Sequence, residues 1–316
     1  MYIGVDIGGT KCSVSYGDDC GKVITKTKFS TTNCQQTVAR IVEEAKKYPD
    51  AQAVGISCGG PLDSRRGLIQ APPNLPGWDN IPIVKILQEE LGIPTYLQND
   101  ANACALAEWR LGAGRGTENM IFLTFGTGLG AGLILNGRIY EGSNGNAGEV
   151  GHIRLSDYGP VGFGKMGAFE GFCSGSGLAQ LGQMIAREKL QVGQNVSFCK
   201  SMEDLENITA KSIADCAYIG NEDAKEVFRI CGRQLGKGLS VLVDILNPER
   251  IVLGSIYQRC EDLLIKSMEE VMQREALGIS LAVCDVVPAM LGDDIGDYAA
   301  LAVALEGEKQ NAKCFA

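Results

Sequence analysis

Two glycine-rich turns that carry threonine, two aspartates and a single histidine are the residues of this chain best suited to chemistry. The first turn lies in Tyr2-Ile-Gly-Val-Asp-Ile-Gly-Gly-Thr-Lys11, and the second in Ile121-Phe-Leu-Thr-Phe-Gly-Thr-Gly-Leu-Gly130. Such turns expose backbone N–H groups where no Cβ blocks the approach of a phosphate, and a nearby hydroxyl adds a donor. Gly8, Gly9, Thr10 and Lys11 in one half, with Thr124, Gly126, Thr127 and Gly128 in the other, are therefore candidate contacts for a nucleotide's phosphates. Lys11 reads equally well as a solvated strand lysine. Asp6 sits inside a strand, where aspartate is disfavoured. Beside a phosphate turn, the expected reason is Mg2+, held directly or through water.

A third constellation is Asn99-Asp-Ala-Asn-Ala103, between an apolar strand and an alanine-rich helix. Either Asn99 or Asp100 can cap that helix. Asp100 also stands where a strand's carboxyl end meets the ligand crevice of an α/β sheet, the place for a catalytic carboxylate. Gly148-Glu-Val-Gly-His152 follows a glycine- and asparagine-rich loop. A lone histidine satisfied by backbone is one reading of it. The other groups Glu149, His152 and Glu170 with Gly60, Asn74 and Asn99 as a ring of donors and acceptors for sugar hydroxyls, each of which needs a partner when buried.

The elements that must position these groups alternate. Strands are expected at 2–7, 11–16 and 22–29, a helix at 34–48 with Val38, Ile41, Val42 and Ala45 on one face, and a buried strand at 53–57. Gly59-Gly-Pro61 and the proline-rich 71–78 are loops, followed by a helix at 82–91, a strand at 95–98 and a helix at 101–111. Three glycines in Gly112-Ala-Gly-Arg-Gly116 suggest a hinge. Beyond it the hairpin pattern restarts with strands at 121–125 and 131–135 and an Asn136-Gly137 type I′ turn. Helix at 221–246, strand at 251–253 and a final helix near 296–305 complete the reading. Because a hairpin rather than a helix follows Gly126-Thr-Gly-Leu-Gly-Ala131, the dinucleotide fingerprint that this stretch also satisfies is disfavoured.

The chain has 316 residues, 45% of them hydrophobic, a net charge of −9 and no apolar run of membrane-spanning length. The length suits about two domains. The acidic balance speaks against a nucleic-acid partner, and neither a membrane segment nor a secretion signal is evident, so a cytoplasmic protein is expected. Twelve cysteines without C-x-x-C spacing read as reduced, mostly buried thiols.

The chain resembles the ROK proteins (repressors, open reading frames and sugar kinases) of the hexokinase/actin/Hsp70 ATPase superfamily. The likeness is carried by Asp6-Ile-Gly-Gly-Thr-Lys11, Pro73-Asn-Leu-Pro-Gly-Trp78, Asn99-Asp-Ala-Asn-Ala103, Thr124-Phe-Gly-Thr-Gly128, Gly148-Glu-Val-Gly-His152 and Asn247-Pro-Glu-Arg-Ile-Val-Leu-Gly254. It implies an α/β fold of two ribonuclease-H-like (actin-like ATPase) domains flanking a cleft, here 1–112 and the larger 113–295, with helix 296–316 returning to the first. It also implies ATP and Mg2+ as cofactors, Asp100 as catalytic base, and Gly60, Asn74, Asn99, Glu149, His152 and Glu170 as contacts to a monosaccharide. Gly254 would lie near the adenosine, and family habit suggests a homodimer.

Two departures stand out. Where ROK kinases carry C-x-C-G-x-x-G-C-x-E and bind structural zinc, this chain has Val161-Gly-Phe-Gly-Lys-Met-Gly-Ala-Phe-Glu170. Apolar side chains cannot ligate zinc, so none is expected, and packing around Phe163 and Phe169 is expected to hold the loop. The second is Ser255, where a second glycine is usual. The reaction implied is phosphoryl transfer from Mg·ATP to a hexose or N-acetylhexosamine hydroxyl, at C6, with Asp100 taking the proton. An ordinary aspartate pKa suffices, since the proton moves late. Rival readings are a sugar-sensing ROK regulator, disfavoured because five residues precede Asp6, and a chaperone-like or cytoskeletal ATPase, disfavoured by Asn74 and the Glu149/His152 pair.

Overall fold

In the computed structural model, which describes residues 1–314, the chain forms two compact units. The first gathers Met1–Glu118, Gly132–Ala147 and the chain from Met290 onward; the second gathers Asn119–Ala131 and Gly148–Ala289. Along the first part run β1 (Tyr2–Ile7), β2 (Lys11–Gly17), β3 (Val23–Ser30), α1 (Cys34–Ala45), β4 (Val54–Cys58), the short β5 (Leu62–Asp63) and β6 (Leu68–Ile69), α2 (Ile83–Leu91), β7 (Thr95–Asn99) and α3 (Asp100–Leu111). Next come β8 (Met120–Phe125), β9 (Leu129–Leu135), β10 (Arg138–Ile139), the short β11 (Val161–Gly162) and β12 (Lys165–Met166), α4 (Phe169–Phe172), α5 (Gly175–Gln191) and α6 (Ala210–Tyr218). The chain ends with α7 (Glu222–Leu246), β13 (Arg250–Leu253), α8 (Ile256–Glu275), α9 (Gly278–Leu281), β14 (Asp285–Pro288) and α10 (Ile295–Cys314). The last two residues expected in the C-terminal helix lie outside the described residues.

The first sheet has the order β3-β2-β1-β4-β7, antiparallel from β3 to β1 and parallel from β1 to β7. Alternation along its strands separates two faces. Val5, Val14, Ile56 and Leu97 occupy one register row and pack with Val38, Ile41, Ile83 and Leu87 of α1 and α2 in one core. The opposite face carries a row of Gln98, Ser57, Asp6, Ser13 and Lys28, one residue from each strand. A further row on that face contains Gly4 and Gly55, and α10 lies over it. A methyl group on Gly55 would stand 2.1 Å from the Ala300 carbonyl oxygen, so the helix approaches this closely only because two side chains are missing beneath it.

The second sheet has the order β10-β9-β8-β13-β14, with β8, β13 and β14 parallel. Asn136 and Gly137 join β9 to β10 with φ of 52° and 66°, as a type I′ turn requires. In the second unit the long α7 packs against α4, α5, α6 and α8. Phe169 of α4 is fully buried against it, at a distance that leaves no room for a side chain at Gly238. Among the described residues, no helix is long and apolar enough to cross a membrane.

Gly112, the first of the glycines at 112–116, is held by packing. Glu108, fully buried, accepts the Ala113 N–H at 2.7 Å with one oxygen and the Met290 and Leu291 N–H groups at 2.9 Å with the other. A side chain on Gly112 would collide with that carboxylate, so close approach, and not backbone freedom, accounts for the glycine. The first unit accordingly runs past residue 112 to Glu118, tied by the Trp109 indole N–H to the Thr117 carbonyl at 2.7 Å.

Candidate active site

In the first unit, the Gly8-Gly9 turn is braced from inside the chain. Gly8 N–H donates to the Lys11 carbonyl at 3.1 Å, and its own carbonyl accepts the Thr31 hydroxyl at 2.6 Å. Thr10 and Lys11 are left exposed. One residue before the turn's flank, Asp6 lies in the polar row, hydrogen-bonded to Ser57 and backed by Gly296 of α10. Burial pushes the Asp6 carboxyl up to about 6, helped by the charges of Asp297 and Asp100, and the Ser57 hydrogen bond and Lys28 offset only part of this. Asp297, only 2% exposed, is already satisfied by the Ser13 hydroxyl at 2.6 Å and Lys26 at 2.8 Å. Asp6 is thus the carboxylate of this group with an unmet demand for positive charge, and a hard oxygen donor of that kind fits a divalent cation.

Asp100 opens α3. Asn99 is the helix cap, accepting the Ala101 N–H at 3.0 Å, and Asp100 Oδ1 accepts the same N–H at 2.8 Å. Capping falls to Asn99, and Asp100 remains open to solvent. Surrounding protein nonetheless raises its carboxyl above the usual range, against the hydrogen bonds from Ala101 and Asn99 that lower it. Methyl groups built on the neighbouring glycines measure how closely the candidates gather. On Gly59 one would lie 3.7 Å from both Asn74 Nδ2 and Asp100 Oδ2, on Gly60 3.5 Å from Asn99 Nδ2, and on Gly9 2.4 Å from the Asn74 carbonyl oxygen. Asn74 reaches this place because Leu75 and Trp78 of its proline-rich loop are buried in the core while Asn74 itself is exposed. Asp6, the first turn, Gly60, Asn74, Asn99 and Asp100 therefore form one cluster.

In the second unit, Gly126, Thr127 and Gly128 meet the N-terminus of α5. Gly175 N–H donates to the Gly126 carbonyl at 2.8 Å, and the Ser174 hydroxyl caps the helix by accepting from Gly177 N–H at 3.0 Å. Such a terminus favours anions. Thr127 is exposed, but the Thr124 hydroxyl is taken up inside its own hairpin, accepting Gly130 N–H at 3.0 Å, so Thr124 shapes the turn instead of offering a free donor. Glu170, on the first turn of α4, accepts the Leu129 N–H at 3.0 Å and stands against Gly128. Glu149 and His152 flank the short helical turn at Val150–His152, and both are exposed. Gly254 ends β13, buried, with its N–H on the Leu123 carbonyl at 3.0 Å. Ser255 follows with φ of 54°, a conformation that suits glycine.

The ROK family model matches residues 2–306. This chain belongs to the ROK family. It is 31% identical over 308 residues to a glucokinase of Halalkalibacterium halodurans, covering 93% of this chain and 92% of that protein. A ROK glucokinase from Streptomyces griseus, solved in complex with glucose and AMPPNP, superposes with a TM-score of 0.76 at 29% identity, covering 97% of this chain and 99% of the other. A xylose repressor of Caldicellulosiruptor bescii is 27% identical over 286 residues, 87% of this chain and 70% of its own length. The actin-like ATPase fold expected from the sequence is that of this ROK protein.

The loop where ROK kinases carry their cysteines is held here by hydrogen bonds. Arg154 donates to the Met166 carbonyl at 2.8 Å, Lys165 to the His152 carbonyl at 2.7 Å, and Phe169 N–H to the Ile153 carbonyl at 2.8 Å. Gln180 pairs with both backbone groups of Val161, at 2.8 and 2.9 Å. Phe169 anchors the segment in the core, but Phe163 does not: it is 79% exposed. Sequence reasoning also passed over Ser57, Gly59, Asp297 and the α5 N-terminus. The run Ser174-Gly-Ser-Gly177, a cap residue among glycines, was the signal available for the last of these.

Proposed function

We propose that this ROK protein is an ATP-dependent sugar kinase that phosphorylates a hexose or N-acetylhexosamine at the C6 hydroxyl, as a glucokinase does. The observation that carries the reading is Asp100: a solvent-open carboxylate with raised proton affinity, beside Asn74 and Asn99, in the same unit as Asp6 and the first glycine turn. Contacts to the sugar are assigned to Asn74, Asn99 and the Gly60 backbone and to Glu149, His152 and Glu170. Asp100 orients the C6 hydroxyl and accepts its proton as the sugar oxygen bonds to the γ-phosphorus and the bridging bond to ADP breaks.

Contacts to the phosphates are assigned to Thr10, Lys11 and the Gly8-Gly9 backbone and to Thr127 and the Gly126 and Gly128 backbone, and a contact to the adenosine to Gly254. Positioning of this kind supplies most of the acceleration, because the transition state of phosphoryl transfer is loose. Mg2+ on Asp6, when bound, neutralises charge on the phosphates. The test is coupled ADP release over a hexose and N-acetylhexosamine panel, with phosphorus NMR to locate the ester. If no monosaccharide raises ADP release above the water background, the reading fails. Kinship with the xylose repressor supports a second reading, a sugar-sensing regulator without kinase activity. Tight sugar binding with no phosphorylation is its signature.

A further inference from the structure

β11 and β12 form a hairpin in which Val161 pairs with Met166 and Gly162 with Lys165. Its two-residue turn is Phe163-Gly164, with φ of 45° and 74°. Turns of that kind take Asn, Asp or Gly in first position, because a bulky side chain is strained there. Phenylalanine is therefore a residue the turn itself disfavours. Burial does not compensate, since the ring is 79% exposed. It stands beside His152, ring centroids 5.2 Å apart and planes at 75°.

The hairpin cannot easily relax, because Arg154 holds the Met166 carbonyl and Gln180 both backbone groups of Val161, while the Lys165 side chain ties the hairpin to the His152 carbonyl. A strained residue so held, with its side chain left in water, is the pattern of a ligand contact. We propose that Phe163 determines specificity in the sugar site, presenting an apolar ring beside His152 that selects a hexose bearing an N-acyl group over the unsubstituted hexose. His152 offers a polar partner to a hydroxyl or an amide, and the ring offers none. A hydroxyl against the ring would lose water without gaining a partner, whereas an acyl methyl gains by leaving water. Exposed Val161 and Met166 on the same hairpin extend the apolar surface.

The inference rests on the kinase reading for the reaction but not for binding, so both are measured on the full chain. Calorimetric Kd values and kcat/KM are compared for glucose, mannose, N-acetylglucosamine and N-acetylmannosamine, in the parent and in Phe163→Asn and Phe163→Leu. Asn relieves the turn strain, so Phe163→Asn is expected to melt no lower than the parent. The parent is expected to favour an N-acyl sugar by about tenfold or more, the scale on which a pocket reads a small apolar group. Phe163→Asn loses that preference through a weaker Kd for the N-acyl sugars, and Phe163→Leu retains part of it. A parent that favours the unsubstituted hexose, or that binds no sugar, overturns the proposal. So does a Phe163→Asn variant that weakens all sugars alike, as a ring stacked on the sugar's C–H face would, or that changes none. N-acyl preference in binding without ADP release sinks the kinase reading and leaves this one standing.

Discussion

A methyl group on Gly9 of the first turn would lie 2.4 Å from the Asn74 carbonyl oxygen, whereas on Gly126 of the second turn the nearest protein atom would be the Ser255 hydroxyl at 3.7 Å. The two turns look alike in sequence, yet their glycines answer to different constraints. In the first, the protein's own backbone excludes a side chain, because the proline-rich loop must come close enough to set Asn74 beside Asp100. In the second, at Gly126, the fold leaves the space open. Gly128 is intermediate, its neighbour being the Glu170 carboxylate at 2.7 Å. A glycine in a phosphate-type motif can thus be required by the protein's own packing or not, and the local distances tell which.

The charged groups divide in the same direction. The first unit brings Asp297 and Asp100 within electrostatic reach of Asp6, while the second turn offers backbone N–H groups and a helix terminus. The largest effect is therefore expected from the first unit. Asp100→Asn should lower kcat by about 10^2–10^4-fold, the range of a lost general base, with sugar Kd nearly unchanged. Activity within tenfold of the parent would remove Asp100 from the acid–base role.

The comparison is sharpened next by Gly126→Ala. Its φ lies outside the left-handed range and no protein atom obstructs the methyl, so melting temperature should be unchanged. KM for ATP should rise on the order of 10–100-fold, because small displacements of a reacting group are costly. Gly9→Ala should do the reverse: it should destabilise the chain by about 1–3 kcal/mol, as overpacking does, and weaken sugar binding through Asn74. If Gly126→Ala melts lower than Gly9→Ala in calorimetry, the contrast between the turns collapses.

What was legible in the sequence was local. Strands β1 to β4 and the type I′ turn at Asn136-Gly137 declare themselves by alternation and turn chemistry, Asp6 by lying where a carboxylate is out of place, and Asp100 by standing between a strand's carboxyl end and a helix start. Long-range approach was not legible. Nothing near Gly4 or Gly55 announces that α10 will lie on them, and nothing near Asp297 announces Ser13 or Lys26. The glycines at 112–116 misled for the same reason, since the Glu108 carboxylate that demands Gly112 is satisfied by backbone from Met290 and Leu291, far along the chain. Thr124 misled more subtly. A threonine in a phosphate motif reads as a donor, but its hydroxyl closes its own hairpin.

The smallest effect expected is one of stability, and its sign follows from the crowding around Asp6. The carboxyl sits at about 6 in the folded chain against 3.8 for an unperturbed aspartate, so the folded state holds this proton more tightly than the unfolded state. Its contribution is favourable below pH 4, is lost as pH rises from about 4 to 6, and stays lost above that. Two pKa units correspond to about 3 kcal/mol at most, and partial solvent access reduces the effect to about 1–2 kcal/mol. In metal-free buffer at pH 7.5, Asp6→Asn should therefore melt a few degrees above the parent, with the gap closing towards pH 4. Adding Mg2+ with a nucleotide should raise the parent and leave the variant in place. A variant that melts below the parent at pH 7.5 would mean that the Ser57 hydrogen bond outweighs the repulsion from Asp297 and Asp100, and the crowding of carboxylates around Asp6 would lose its energetic basis.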